Sequence, residues 1–236
     1  MRLVPVKSAE NQAALAQHKT RELLIKQRTM SINALRAQLA EFGLVAAKGP
    51  QNVAGLIETA RGDETLPQAL REIVADLESH IGALSEKIAA LEKKIASLAA
   101  REPMVRLLRR IPGVGKLGAA AIIASLPDPG AFESGRDFSA WLGLTPRQNS
   151  SGGKDRLGAI TKRGNAYLRK LLVMGATALL PLSKKRTGAL ADWITALCAR
   201  KPRRLASVAI ANKLARIVHA TMRSGECFRK ENFARA

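Results

Sequence analysis

Residues Leu70–Leu98 read LREIVADLESHIGALSEKIAALEKKIASL. Within this stretch Leu70, Val74, Leu77, Ile81, Leu84, Ile88, Leu91, Ile95 and Leu98 follow one another in alternating steps of four and three. That spacing keeps one apolar stripe along one side of a helix, which is the pattern of a coiled-coil seam. Glu86, Lys87, Glu92 and Lys94 flank it. Thr65 and Gln68 are spaced for a capping box at its start, and Pro103 fits its end. A seam must be covered. Either a second copy of the chain covers it, making a homo-oligomer, which is the favoured reading, or the first long helix does so within one chain.

That first helix is expected over Ser8–Phe42. The segment lacks Pro and Gly, opens on a capping serine and stops at Gly43. Leu24, Ile32, Leu35 and Leu39 recur at helical spacing. A linker, AAKGPQNVAG, follows it at residues 46–55, and then a short helical piece. Beyond Pro103 acids thin out and Gly and Pro appear. Helices are expected at Val105–Arg110, Lys116–Leu126, Gly135–Leu142, Asn165–Leu180, Thr187–Arg200 and Leu205–Arg223. No segment alternates like a strand for long, although residues 148–161 could hold a short hairpin. The predicted fold is mainly α: a long N-terminal helix, a coiled-coil helix, then a compact helical domain. Its expected divisions are residues 1–62, 63–102 and 103–236.

Charge narrows the function. The 236 residues carry 39 Lys and Arg against 19 Asp and Glu, a net +20. Such an excess points to a polyanionic partner, and nucleic acid comes first, because each phosphate neutralised releases counterions. A basic structural protein of ribosomes or nucleoids would share this composition. Aromatic residues make up only 3%, which argues against a base-stacking platform. Leu171–Leu182 is too short to span a bilayer and contains Pro181. The opening MRLVPVKSAE has no apolar core or cleavage site of a signal peptide. Lone Cys198 and Cys227 fit a reducing cytoplasm. His18, His80 and His219 lack metal-ligand spacing, so no metal site is expected on this chain.

Three stretches carry candidate chemistry. The first, Leu107–Leu126, reads LLRRIPGVGKLGAAAIIASL. Two apolar helices joined by Pro-Gly-Val-Gly make a helix-hairpin-helix pattern. Gly113 and Gly115 would let the backbone approach a phosphate, and the amides opening the next helix, with Lys116, would face the anion. A plain helical turn packed in the core is the competing reading. The second, Leu144–Leu172, reads LTPRQNSSGGKDRLGAITKRGNAYLRKLL. It holds Arg147, Lys154, Arg156, Lys162, Arg163, Arg169 and Lys170 against one acid, Asp155. At its centre Ser150 and Ser151 precede Gly152 and Gly153. A serine ringed by cations suits attack on a phosphodiester, since arginines can stabilise the added negative charge. A phosphoserine link would also conserve the bond energy for rejoining. Taken alone, these residues favour a loop that only grips phosphate, because no general base is evident. The third, ARKPRRLASVAIANKLARIVHATMRSG, should be a structural helix. Leu205, Val208, Ile210, Leu214, Ile217 and Val218 would face inward, and a basic approach is available for phosphate contact.

IPGVGKLGAAAI, FSAWLGLTPRQNSSGGKDRLGAITKRGNAYLRKLL and KPRRLASVAIANKLARIV, in this order and spacing, resemble one insertion-sequence transposase family. It is the IS-one-ten family, with its IS-eleven-eleven subgroup: DEDD-type, bridge-RNA-guided recombinases. The resemblance runs from about Arg2 to Phe233. It implies site-specific DNA recombination by a catalytic serine, with Ser151 the first choice and Ser150 the fallback. DNA and a guide RNA are the implied partners. The resemblance also implies an acidic, resolvase-like domain holding Mg²⁺, ahead of the segment similar to MRLVPVKSAENQ. That set of acids has no counterpart here, because Glu10, Glu22, Glu41 and Glu58 lie in helical context. The expectation is a truncated form, bound to no cofactor of its own and inactive alone. The alternative is a non-catalytic nucleic-acid-binding oligomer that modulates full-length transposase.

Overall fold

The computed structural model describes residues 6–126, 128–154, 156–183 and 188–229. The fold is mainly α, with one small two-stranded sheet among the described residues. Contacts divide the chain into two compact units: Ala16–Ile95, and Met1–Leu15 with Ala96–Ala236.

Helix α1 spans Ala9–Ala40. Ser8 caps it as expected: its hydroxyl accepts from the Asn11 amide at 3.2 Å. Gly43, at φ 80°, turns the chain out of the helix, and the Leu44 amide donates back to the Leu39 carbonyl. Helices α2 (Val53–Gly62) and α3 (Gln68–Ala99) follow.

In the Ala16–Ile95 unit, α1 itself closes the seam. Arg21 Nε donates to Glu92 Oε1 at 2.6 Å, and Arg28 donates to the Ser85 hydroxyl at 3.3 Å. As the position rises by seven on α1 it falls by seven on α3, so the two helices run antiparallel. Ile32, Leu35 and Leu39 of α1 share one apolar cluster with Leu56 and Ile57 of α2 and Leu70 and Val74 of α3. Leu84, Ile88 and Ile95 are buried as well. Two expectations fail locally. Leu98 ends the stripe at 45% exposed. Thr65 does not cap α3: its amide and hydroxyl both donate to the Asp63 carboxylate, a local turn that competes with the capping geometry.

The second unit holds α4 (Pro103–Leu108), α5 (Lys116–Ser125), α6 (Gly135–Trp141), β1 (Pro146–Gln148), β2 (Leu157–Ile160), α7 (Ala166–Ser183), α8 (Ala189–Arg200) and α9 (Arg203–Ser224). The expected helices are present, within three residues at every end. Thr187, the expected start of α8, lies outside the described residues. Helix α9 packs against α4, α6, α7 and α8. Its Ile210, Leu214 and Val218 join Leu108, Ile122, Phe138, Leu142, Leu168 and Ile194 in the core. Leu205 does not face inward as expected; it is 57% exposed, while Ala206 next to it is buried in the core, so Leu205 lies on the outer side of the helix. His219 is buried in the core instead. Its Nε2 lies 3.2 Å from the Pro129 carbonyl and 3.3 Å from that of Phe132. Phe132, Phe138 and Trp141 surround it or one another. A capping box between Ser134 and Asp137 starts α6.

Candidate nucleic-acid interface

Strands β1 and β2, with residues 149–154 and 156, form an antiparallel hairpin that stands off the helical body. Pro146 pairs with Ile160 and Gln148 with Leu157, with one irregular step between them. The Asn149 amide donates to the Arg156 carbonyl at 2.9 Å, and Ser151 bridges Lys154. Gly152 (φ 57°) and Gly153 (φ 75°) form the tip. Two consecutive left-handed residues closed by the Lys154 amide on the Ser151 carbonyl at 3.1 Å match a type I′ turn, which favours a Gly-Gly pair. Apart from half-buried Ile160, the strands expose both faces, and Leu157 is 69% exposed.

A two-stranded ribbon is marginal by itself in water, so its base must be held. Gly143 and Gly164 do this by backbone contact. A Cβ on Gly143 would lie 2.1 Å from the Arg163 carbonyl, and one on Gly164 only 1.7 Å from that of Trp141. Both have positive φ. The Thr161 amide donates to the Thr145 carbonyl, and that of Lys162 to Gly143. From α9, Asn212 Nδ2 donates to the Leu144 carbonyl at 3.2 Å. Asn165 caps α7 through the Leu168 amide.

Within this frame the two serines differ. The Ser150 hydroxyl accepts from the Arg156 amide at 3.1 Å, a bond across the hairpin. Ser151 sits at the tip, exposed, and its hydroxyl has no partner among the described residues. Arg147, Lys154, Arg156, Lys162 and Arg163 are all exposed on the hairpin or at its base. Arg169 is different. It is half-buried, and its guanidinium donates to the Leu142 carbonyl at 2.8 Å and to the Arg163 carbonyl at 3.2 Å. It therefore fastens the C-terminal end of α6 to the loop before α7. Asp155, the one acid of the stretch, lies outside the described residues.

The helix-hairpin-helix turn splits its roles as well. Gly115 and Lys116 are exposed at the start of α5. Gly113 faces the protein: a Cβ there would meet Leu179, the Gly175 carbonyl and Leu214 at 3.1–3.2 Å. Its own carbonyl would sit 1.9 Å from a Cβ on Gly175. The glycine serves close packing against α7 and α9. Leu214 and Asn212 are two positions apart on α9, about 200° around the helix. The turn and the hairpin base thus meet different flanks of it.

Among the described residues no group of three or more His, Cys, Asp or Glu gathers to hold a metal. No helix among them is long and apolar enough to cross a membrane.

A basic, mainly helical chain with a serine-tipped hairpin on a packed helical body is the class that fold and site define. Residues 105–190 match the family model described as Transposase IS116/IS110/IS902 family. Over 98% of its length the chain is 43% identical to the putative transposase y4pF/y4sB of Sinorhizobium fredii, covering 60% of that protein. It is 40% identical over 97% of its length to a probable family 20 transposase of Pseudomonas aeruginosa, covering 69%. It is 36% identical to the transposase for insertion sequence element IS1111A of Coxiella burnetii, covering 64%. The chain belongs to the IS110 family of insertion-sequence transposases. It spans 60 to 69% of the length of these relatives.

Proposed function

We propose that this chain supplies the DNA-gripping and serine-bearing part of an insertion-sequence recombinase. The observation that carries the reading is the hairpin tip. Ser151 is exposed on a two-glycine turn, while Ser150 is engaged by the Arg156 amide. Arg147, Lys154 and Arg156 stand on the same exposed ribbon. A phosphodiester laid along it would meet cations on both strands and a hydroxyl at the end. In the reaction, the Ser151 oxygen attacks phosphorus and the displaced DNA hydroxyl leaves. Its proton passes to a base that the described hairpin residues do not provide. Reversal by another strand's hydroxyl would restore the serine. Arg169 positions the site by holding its base together. A guide RNA and a metal-holding acidic domain, as implied by the resemblance, would complete the reaction. Association of two copies is not proposed through the Leu70–Ile95 seam, since α1 occupies it.

The binding half of this reading is tested with duplex DNA over a salt series. Affinity should fall steeply with salt, by about 0.9 in the log–log slope per phosphate contacted. Replacing Arg147 and Arg156 by Gln should reduce that slope by roughly 2. A flat salt response would remove the reading. A preference for ribosomal RNA over DNA would favour a structural protein instead.

A further inference from the structure

We infer that the α8–α9 junction is a second phosphodiester-backbone contact, made to double-stranded DNA and separate from the hairpin. This rests on the DNA-binding reading above. Arg200 ends α8, Lys201 and Pro202 are extended, and Arg203 and Arg204 open α9. All five residues are exposed. None of the four cations has an acidic partner among the described residues.

Four cations within five residues repel one another. Arg203 and Arg204 also lie in the first turn of α9, where the helix dipole disfavours positive charge. Arg200 is favoured by the C-terminal end of α8, but no acidic side chain among the described residues offsets the other three cations, and a polyanion would. The platform is fixed. Arg200 Nε donates to the Ala196 carbonyl within its own helix, and the Lys201 amide closes the end of α8 on the Leu197 carbonyl. Helix α8 is held on α9 by packing and by the Lys213 ammonium, 5.0 Å from the centre of the Trp193 ring. Leu205, beside the cluster, is 57% exposed, so no apolar segment covers it.

Placement selects a duplex. Arg204 lies eight residues before Asn212, which holds the hairpin base. At 1.5 Å and 100° per residue that is about 12 Å along a straight helix and about 80° around it. A rigid polyanion with one charge per about 1.7 Å of axis can span both contacts at once. A second contact of this kind would fix the angle at which the duplex meets the hairpin, without reading sequence.

The test replaces Arg200, Lys201, Arg203 and Arg204 by Gln in the whole chain. Binding of a duplex and of a structured RNA hairpin is measured across a salt series, next to the R147Q/R156Q variant. The expected result is at least tenfold weaker duplex binding at moderate salt, with a log–log slope shallower by about 3.6 if each cation meets one phosphate. An unchanged melting temperature would confirm that the exposed substitutions leave the fold intact. As a readout independent of the variant, acetylation of Lys201 in the unaltered chain should be suppressed by duplex. Unchanged affinity and slope, with Lys201 unprotected, would overturn the inference while leaving the hairpin reading in place if R147Q/R156Q still binds weakly. Loss confined to RNA would overturn it in favour of an RNA contact. Absence of duplex binding by the unaltered chain would remove both readings.

Discussion

Single residues divide the labour within motifs that look uniform in sequence. Ser150 and Ser151 are adjacent and identical, yet one hydroxyl ties the ribbon together and the other stands at its tip. Removing the Ser150 hydroxyl should cost about 1 kcal/mol of hairpin stability. His18 makes a different prediction. It is buried on α1, and burial followed by the nearby Arg21 charge lowers its pKa from 6.5 to about 4. The folded state therefore holds it neutral, whereas the unfolded chain protonates it near pH 6.5. Its contribution is present in full above pH 6.5 and is lost as pH falls towards 4. The expected loss is about 3 kcal/mol. Thermal melts from pH 7 to pH 4 should show the decline, and His18→Gln should flatten it. An equally steep decline in His18→Gln would assign it to other groups.

At the scale of elements, helix positions were legible because each has a physical signature in the sequence. Ser8 and Gly43 bound α1, Gly115 precedes α5, and steps of three and four mark α3. The two-glycine turn likewise marks the hairpin tip. What fastens the hairpin was not legible. Gly143 and Gly164 act through contacts with backbone distant in sequence, and Asn212 and Arg169 reach it from two other helices. None of these leaves a periodic trace. Gly113 is ambiguous in sequence for the same reason, since a glycine for packing and a glycine for phosphate approach read alike. Gly175 gives the sharper test. An interior helical Gly→Ala change ordinarily stabilises by about 1 kcal/mol. Here the new Cβ would meet the Gly113 carbonyl at 1.9 Å, so Gly175→Ala should lower the melting temperature. A rise would show that the turn and α7 can separate freely.

For the whole molecule, the sequence named the seam but not its occupant, because an apolar stripe does not say which helix covers it. With α1 in place, Leu84→Glu should unfold the Ala16–Ile95 unit rather than split an oligomer. Helical circular dichroism should fall while the mass in solution stays the same. A halved mass with helicity retained would restore the seam to an intermolecular role. The chain spans 60% of the length of the Sinorhizobium fredii relative. Catalysis is proposed for the recombinase, with the exposed Ser151 as this chain's part in it. The direct measurement is a search for a covalent protein–DNA adduct when the chain is supplied with the acidic domain, Mg²⁺, guide RNA and DNA. The adduct should form with the unaltered chain and with Ser150→Ala, and vanish with Ser151→Ala. Full recombination by Ser151→Ala would contradict the assignment.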